Sequence, residues 1–127
     1  MNVGLNNPNH TFIIAEAGTN WKCGRYDEDI RRAEELIHVA AESGADAVKF
    51  QTYRPETIYV TDAGSSQYLS EHGINQNINE IFEHLSMPYE MIPELANYCK
   101  QKKIMFMSTP FSVTDATQVD PFVDIHK

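Results

Sequence analysis

Lys49 and Gln51 stand two residues apart inside a short, mostly apolar run, Ala47-Val48-Lys49-Phe50-Gln51. In an extended strand that spacing puts both side chains on one side. An ammonium group among apolar neighbours is costly to bury alone, so Lys49 calls for a counter-charge or an anionic ligand. Three other candidate strands end on polar groups: Glu16 closes the first, Ser108 and Thr109 the third, and Lys127 the fourth. Brought to one end of a sheet, a carboxylate, two ammonium groups, an amide and hydroxyls could bind a small anion. The lysines would offset phosphate or carboxylate charge, and Glu16 would accept a proton or position a water. The plainer reading makes each a solvated strand end. Recurrence at four strand ends favours a shared anion site.

The elements that must position these groups alternate. Residues 11–15, Thr-Phe-Ile-Ile-Ala, form a short continuous apolar run, which predicts a strand buried on both faces as in a parallel sheet. A helix follows, with Asp27 as N-cap, Ile30, Ala33, Leu36, Ile37, Ala40 and Ala41 on one face, and Ser43-Gly44 as the stop. Residues 47–51 then give the second strand, completing a βαβ unit. Residues 52–73 lack a period and carry Tyr53, Tyr59 and Tyr68, which reads as an ordered, functional loop. Asn77 with Glu80 predicts a capped helix bearing Ile78, Ile81, Phe82 and Leu85. Residues 86–103 read as a further helix, beginning or kinking near Pro93. Strands at 104–107 and 122–127 flank a helical turn at 114–119. The Asn-rich residues 1–10 read as a mobile lead-in.

Composition excludes several classes. A chain of 127 residues with 10 basic and 18 acidic side chains, net charge −8, lacks the basic face a nucleic acid needs. No apolar run is long enough to span a membrane, and the N-terminus lacks the basic and apolar segments of a signal peptide. Cys23 and Cys99 make no disulfide framework or redox CxxC pair, which fits a reduced cytoplasmic setting. The five histidines show no metal-ligand spacing, and neither Gly18 nor Gly24 has the context of a phosphate loop. Trp21, beside Asn20, could stack on a sugar or cap the end of the sheet. A closed eight-stranded α/β barrel takes about 250 residues, roughly twice this chain.

Three segments carry a resemblance: FIIAEAGTN at 12–20, GADAVKFQTY at 44–53 and IMFMSTPF at 104–111. Together they resemble the N-terminal half of the sialic acid synthase family, which includes N-acetylneuraminate, legionaminate and pseudaminate synthases and a spore-coat polysaccharide protein. The resemblance implies an α/β fold, the first four or so βα units of a TIM (β/α)8 barrel, with 1–127 as a partial synthase domain. It implies condensation of phosphoenolpyruvate with an N-acetylated amino sugar, such as N-acetylmannosamine, to a nine-carbon 2-keto sugar acid with release of phosphate. A divalent cation, Mn²⁺ or Mg²⁺, would polarise the sugar aldehyde, and a homodimer is implied. Residue by residue, Glu16 resembles the acidic group near the reacting carbons, Lys49 a phosphoenolpyruvate ligand and Gln51 a sugar ligand. Thr109 and Phe111 resemble substrate-contacting positions, Lys127 resembles a phosphoenolpyruvate lysine, and Asn20 and Ser108 are further candidates.

The match is weakest across 54–76. After Gly18-Thr19-Asn20 the family has His-Asn-Gly, where this sequence has Trp21-Lys22-Cys23-Gly24. The family's metal-binding histidines lie on later strands and its antifreeze-like domain beyond them, so the expectation is a synthase segment with no metal ligand and no turnover alone. The alternatives are a non-catalytic half-barrel that binds an anion or pairs with a complementary half, and a related phosphoenolpyruvate aldol synthase making octulosonate or heptulosonate phosphates.

Overall fold

The computed structural model describes residues 4–58, 64, 67–73 and 77–127. Three parallel strands, β1 (Ile14–Gly18), β2 (Ala47–Thr52) and β3 (Met105–Pro110), lie in the order β1-β2-β3. Between β1 and β2 runs α1 (Tyr26–Glu42). The longer connection from β2 to β3 carries α2 (Pro55–Ile58), α3 (Gln67–Glu71), α4 (Ile78–Leu85) and α5 (Met91–Lys102). After β3 come α6 (Val113–Val119) and a 3₁₀ turn, Asp120–Phe122. None of the described helices is long and apolar enough to cross a membrane.

Helix α1 buries Ala33, Ile37 and Ala40, the expected face, and stops where Gly44 takes the left-handed conformation at φ +84°. Its start differs from expectation. Arg25 occupies the N-cap without a side-chain bond, and Asp27 lies inside the first turn, where its charge suits the helix dipole. Asn77 caps α4 as predicted, its side chain accepting from the Asn79 amide. Helix α5 begins at Met91, so Pro93 falls in the first turn, where its missing N–H leaves no bond unmade.

The sheet separates two apolar layers. Val48, Phe50 and Phe106 pack with Ala33, Ile37, Leu95 and Cys99 on the helical side. Ala47, Met105 and Met107 form a smaller cluster on the opposite face, partly covered by Phe12 and Ile125. Residues four to ten make two turns, and His10 bonds Asp46 at 2.9 Å.

Two strand expectations need correction. The first strand is an edge and not a buried strand: Ile13 and Ile14 are 51% and 42% exposed, because among the described residues β1 has a ladder partner on one side only. It also begins later and continues to Gly18, leaving Glu16 within the strand. The fourth strand expected at 122–127 does not form among the described residues. Val123 packs on the helical side and Ile125 on the other, whereas two residues at that spacing in a strand would share a face. The segment takes no place in the ladder, which remains three-stranded. The loop expected over 52–73 carries α2 and α3 and falls partly outside the described residues, including Tyr59 and the Tyr68 side chain.

Candidate functional site

Register places the polar groups. Glu16 of β1 is level with Lys49 of β2, Lys49 with Met107, and Gln51 with Thr109 of β3. Residues level in a parallel ladder share a face. Glu16, Lys49, Gln51 and Thr109 therefore all lie on the face opposite the large helical core. The Lys49 ammonium sits 2.5 Å from Glu16 Oε2 and donates to Thr109 Oγ1 at 3.1 Å. Lys49 is nearly buried, its side chain 9% exposed, while that of Glu16 is 49% exposed. An ammonium group has three N–H donors. Glu16 and Thr109 engage two, which leaves one for an incoming anion.

The β1 end that holds Glu16 is shaped by a register shift between Glu16 and Gly18. Gly18 takes φ +56°, and a Cβ there would lie 3.4 Å from Glu16 Oε1. Both facts favour glycine after the Glu16-Ala17 pair. The following loop is held by Asp29, one turn into α1. Its carboxylate accepts from the Cys23 and Gly24 amides at 2.7 and 2.9 Å and from Lys22 Nζ at 2.8 Å. Burial pushes the Asp29 carboxyl upward, but these hydrogen bonds outweigh it and hold the group below the ordinary aspartate range. From sequence Asp29, like Glu28, is an acid suited to the positive end of the helix dipole; its hold on the loop emerges only from the structure. An acid at the fourth helical position, following a Lys-Cys-Gly loop, is the available signal.

Other predicted residues separate. Ser108 faces the helical side, fully buried, its hydroxyl 2.7 Å from that of Thr52. It lies away from the Lys49 face. Asn20 is exposed in the turn after β1, its amide donating to the Ala17 carbonyl at 3.1 Å. Trp21 is buried in the helical-side core, 2% exposed, which rules out stacking on a sugar in this conformation. Lys127 is exposed beside Pro110, Val113 and Asp120. Among the described residues no hydrogen bond or ion pair joins it to Lys49.

Phe111 is 44% exposed directly after β3, its amide bonded to the Thr52 carbonyl at 3.2 Å. Its ring meets the edge of Tyr53, centroids 5.4 Å apart, and Tyr53 meets Phe82 at 5.2 Å. Burial pushes the Tyr53 phenol up to about 12, so it stays neutral at any ordinary pH. Nearby, Arg54 stacks over Tyr89 at 3.7 Å, and Tyr89 donates to buried Asp115 at 2.7 Å. Neither Tyr53 nor Arg54 was a sequence candidate for the site.

Among the described residues no three His, Cys, Asp or Glu side chains come together as a metal site. The donors on the Lys49 face are one carboxylate, an amide and a hydroxyl beside a buried cation, a poor set for a divalent metal.

Comparison with known proteins gives this geometry its context. The model of the NeuB family matches residues 36–127. Spore coat polysaccharide biosynthesis protein SpsE of Bacillus subtilis is 41% identical over 98 residues, covering 77% of this chain and 24% of that protein. N,N'-diacetyllegionaminic acid synthase of Campylobacter jejuni is 35% identical over 104 residues, covering 81% of this chain and 30% of that one. A crystal structure of N-acetylneuraminic acid (sialic acid) synthetase from Leptospira borgpetersenii, in complex with citrate, matches with TM-score 0.67 at 26% identity. That match covers 93% of this chain and 35% of the synthetase. The chain thus spans about a quarter to a third of the length of the relatives it matches.

Proposed function

The chain belongs to the NeuB family, and from that membership we propose that it supplies part of the active site of a nonulosonic acid synthase. The reaction is condensation of phosphoenolpyruvate with an N-acetylated amino sugar, forming a nine-carbon 2-keto sugar acid and releasing phosphate. The three strands are the first three of a (β/α)8 barrel, and the face bearing Lys49 is its interior. One observation carries this reading: an almost buried ammonium held between a half-exposed carboxylate and a hydroxyl on that face.

Each group has a role its position allows. Lys49 keeps a free N–H toward the carboxylate or phosphate of phosphoenolpyruvate, and its burial strengthens that attraction. Thr109 and Glu16 orient the ammonium. Glu16, the more exposed partner, also reaches toward solvent, where it can hold the water that adds to the enol-derived carbon or take its proton. Gln51, level with Thr109, is placed to bond sugar hydroxyls. Phe111 presents an apolar face to the sugar's acetyl group. Lys127 adds a second cation for phosphoenolpyruvate, once its segment lies alongside β3.

The test is phosphate release from phosphoenolpyruvate with N-acetylmannosamine and Mn²⁺, measured on the polypeptide translated from the complete reading frame. Alongside it, Lys49→Ala should weaken phosphoenolpyruvate binding by about tenfold to a hundredfold, the value of a charge-assisted hydrogen bond. Binding unchanged by that substitution would remove Lys49 from the site. Phosphoenolpyruvate bound with no turnover for any N-acetyl sugar would favour a binding module.

A further inference from the structure

Tyr53 belongs to no role assigned above, yet it is fully buried immediately beyond β2 and touches a site residue. Its ring stands between two others. Phe82 of α4 meets it at 71° and Phe111 at 78°, both edge-on, with centroids 5.2 and 5.4 Å away. Such geometry aligns the positive edge of one ring with the negative face of the next. The Tyr53 backbone is fixed as well: Arg54 Nη1 donates to the Tyr53 carbonyl at 2.8 Å and to the Met87 carbonyl at 2.9 Å. The Arg54 guanidinium is itself packed on Tyr89. The Phe111 side chain, by contrast, is exposed on its other side and follows the last residue of β3. Among the described residues the Tyr53 ring is its one aromatic partner. The hydroxyl of Tyr53 has no protein partner there either, so it is the ring that packs.

We propose that Tyr53 is a positioning residue for the sugar end of the site: the Phe82–Tyr53–Phe111 row of rings sets the direction in which Phe111 meets the sugar. This rests on the synthase reading for the identity of the ligand, but the ring-to-ring coupling does not. The proposal ties α4 to the substrate through one side chain, and it separates Tyr53 from Lys49, which faces the phosphoenolpyruvate end.

The experiment compares Tyr53→Leu with Tyr53→Phe, and adds Phe82→Leu as a milder break should Tyr53→Leu fail to fold. In the complete polypeptide, Tyr53→Leu should raise the KM for N-acetylmannosamine about fivefold or more, the scale of one lost aromatic pair, with the KM for phosphoenolpyruvate within about twofold. Tyr53→Phe, which keeps the ring, should restore the sugar KM to near wild type, and Phe82→Leu should shift it in the same direction as Tyr53→Leu but less. A sugar KM unmoved by Tyr53→Leu and Phe82→Leu would overturn the proposal. So would a Tyr53→Phe variant as impaired as Tyr53→Leu, since the hydroxyl would then be the active part. The coupling is also read without turnover, from the ring resonances of Phe111 in the 127-residue chain labelled at phenylalanine. Shifts kept in Tyr53→Phe and collapsed toward free-phenylalanine values in Tyr53→Leu support it; unchanged shifts in the leucine variant refute it. Absence of turnover by the wild-type polypeptide with intact Phe111 coupling would instead count against the synthase reading alone.

Discussion

Lys49 and Glu16 are held to each other more tightly than to anything else on their face, and that mutual hold frames what each substitution should do. Removing the carboxylate from Glu16 leaves a nearly buried ammonium with only Thr109 as partner. Solvent screens the pair on the half-exposed Glu16 side, but the nearly buried ammonium depends on that carboxylate for its counter-charge. Glu16→Gln should therefore lower the melting temperature, and it should reduce turnover of the complete polypeptide by about a hundredfold to ten-thousandfold, the range for lost acid–base assistance. Thermal unfolding and phosphate release, measured on one preparation, separate the two. That Lys49 and Gln51 share a face was readable from sequence because period-two spacing and apolar flanks mark one face of a strand, whereas Glu16 and Thr109 join them only through the register. Ser108 was misjudged for the same reason: adjacent to Thr109, it must point the other way, and there it bonds Thr52. Tyr53 was legible only as an aromatic in a long loop. Its neighbours Phe82 and Phe111 lie 29 and 58 residues along, and no local pattern joins them.

Elements followed the same logic. The buried face and the end of helix α1 were readable because its apolar spacing and Gly44 agree, though its start was not, and α4 was readable because Asn77 is a true N-cap. The strands were less so. Apolar runs show where a strand can form but not which neighbours it has, so the exposure of β1 and the missing ladder at 123–127 needed three dimensions. Helix α5 holds one feature against its own sequence. Lys103 closes it in the left-handed region at φ 58°, with the Ile104 amide donating to the Cys99 carbonyl at 3.1 Å. That closing geometry favours glycine, and a side chain there carries a steric cost. Lys103→Gly should stabilise the chain by about 0.5–1 kcal/mol, checked by denaturant unfolding. Lys103→Val, branched at Cβ, should do the reverse.

For the molecule as a whole, the starts of the three strands converge on one acid. The Asp46 carboxylate accepts from the Ile13 amide at 2.8 Å and from His10, its amide donates to the Ile13 carbonyl at 2.9 Å, and its carbonyl accepts from the Met105 amide at 3.0 Å. The Ile13 hydrogen bond first, and then His10, hold its carboxyl below the ordinary aspartate range. A carboxyl depressed in the folded state contributes stability above its unfolded pKa and loses it as pH falls toward the folded value. Asp29 carries the same sign. Stability should accordingly be steady near neutrality and decline through the acid range below pH about 4. Asp46→Asn should flatten part of that decline, as followed by melting temperature against pH. A wild-type curve with no acid loss, or an Asp46→Asn curve parallel to it, would contradict the role given to this carboxylate. The net charge of −8 says nothing of this internal arrangement. It describes the surface, whereas the Lys49 ammonium lies nearly buried on the sheet face opposite the large helical core.

Trp21 is the single tryptophan of the chain and lies 2% exposed within the main core, in the loop that joins the Glu16 strand to α1. Its indole is therefore a built-in optical probe. Its emission will sit toward the blue while that core is closed and move red when water enters. The molecule thus reports its own unfolding from the loop nearest its candidate carboxylate, with no dye or label attached.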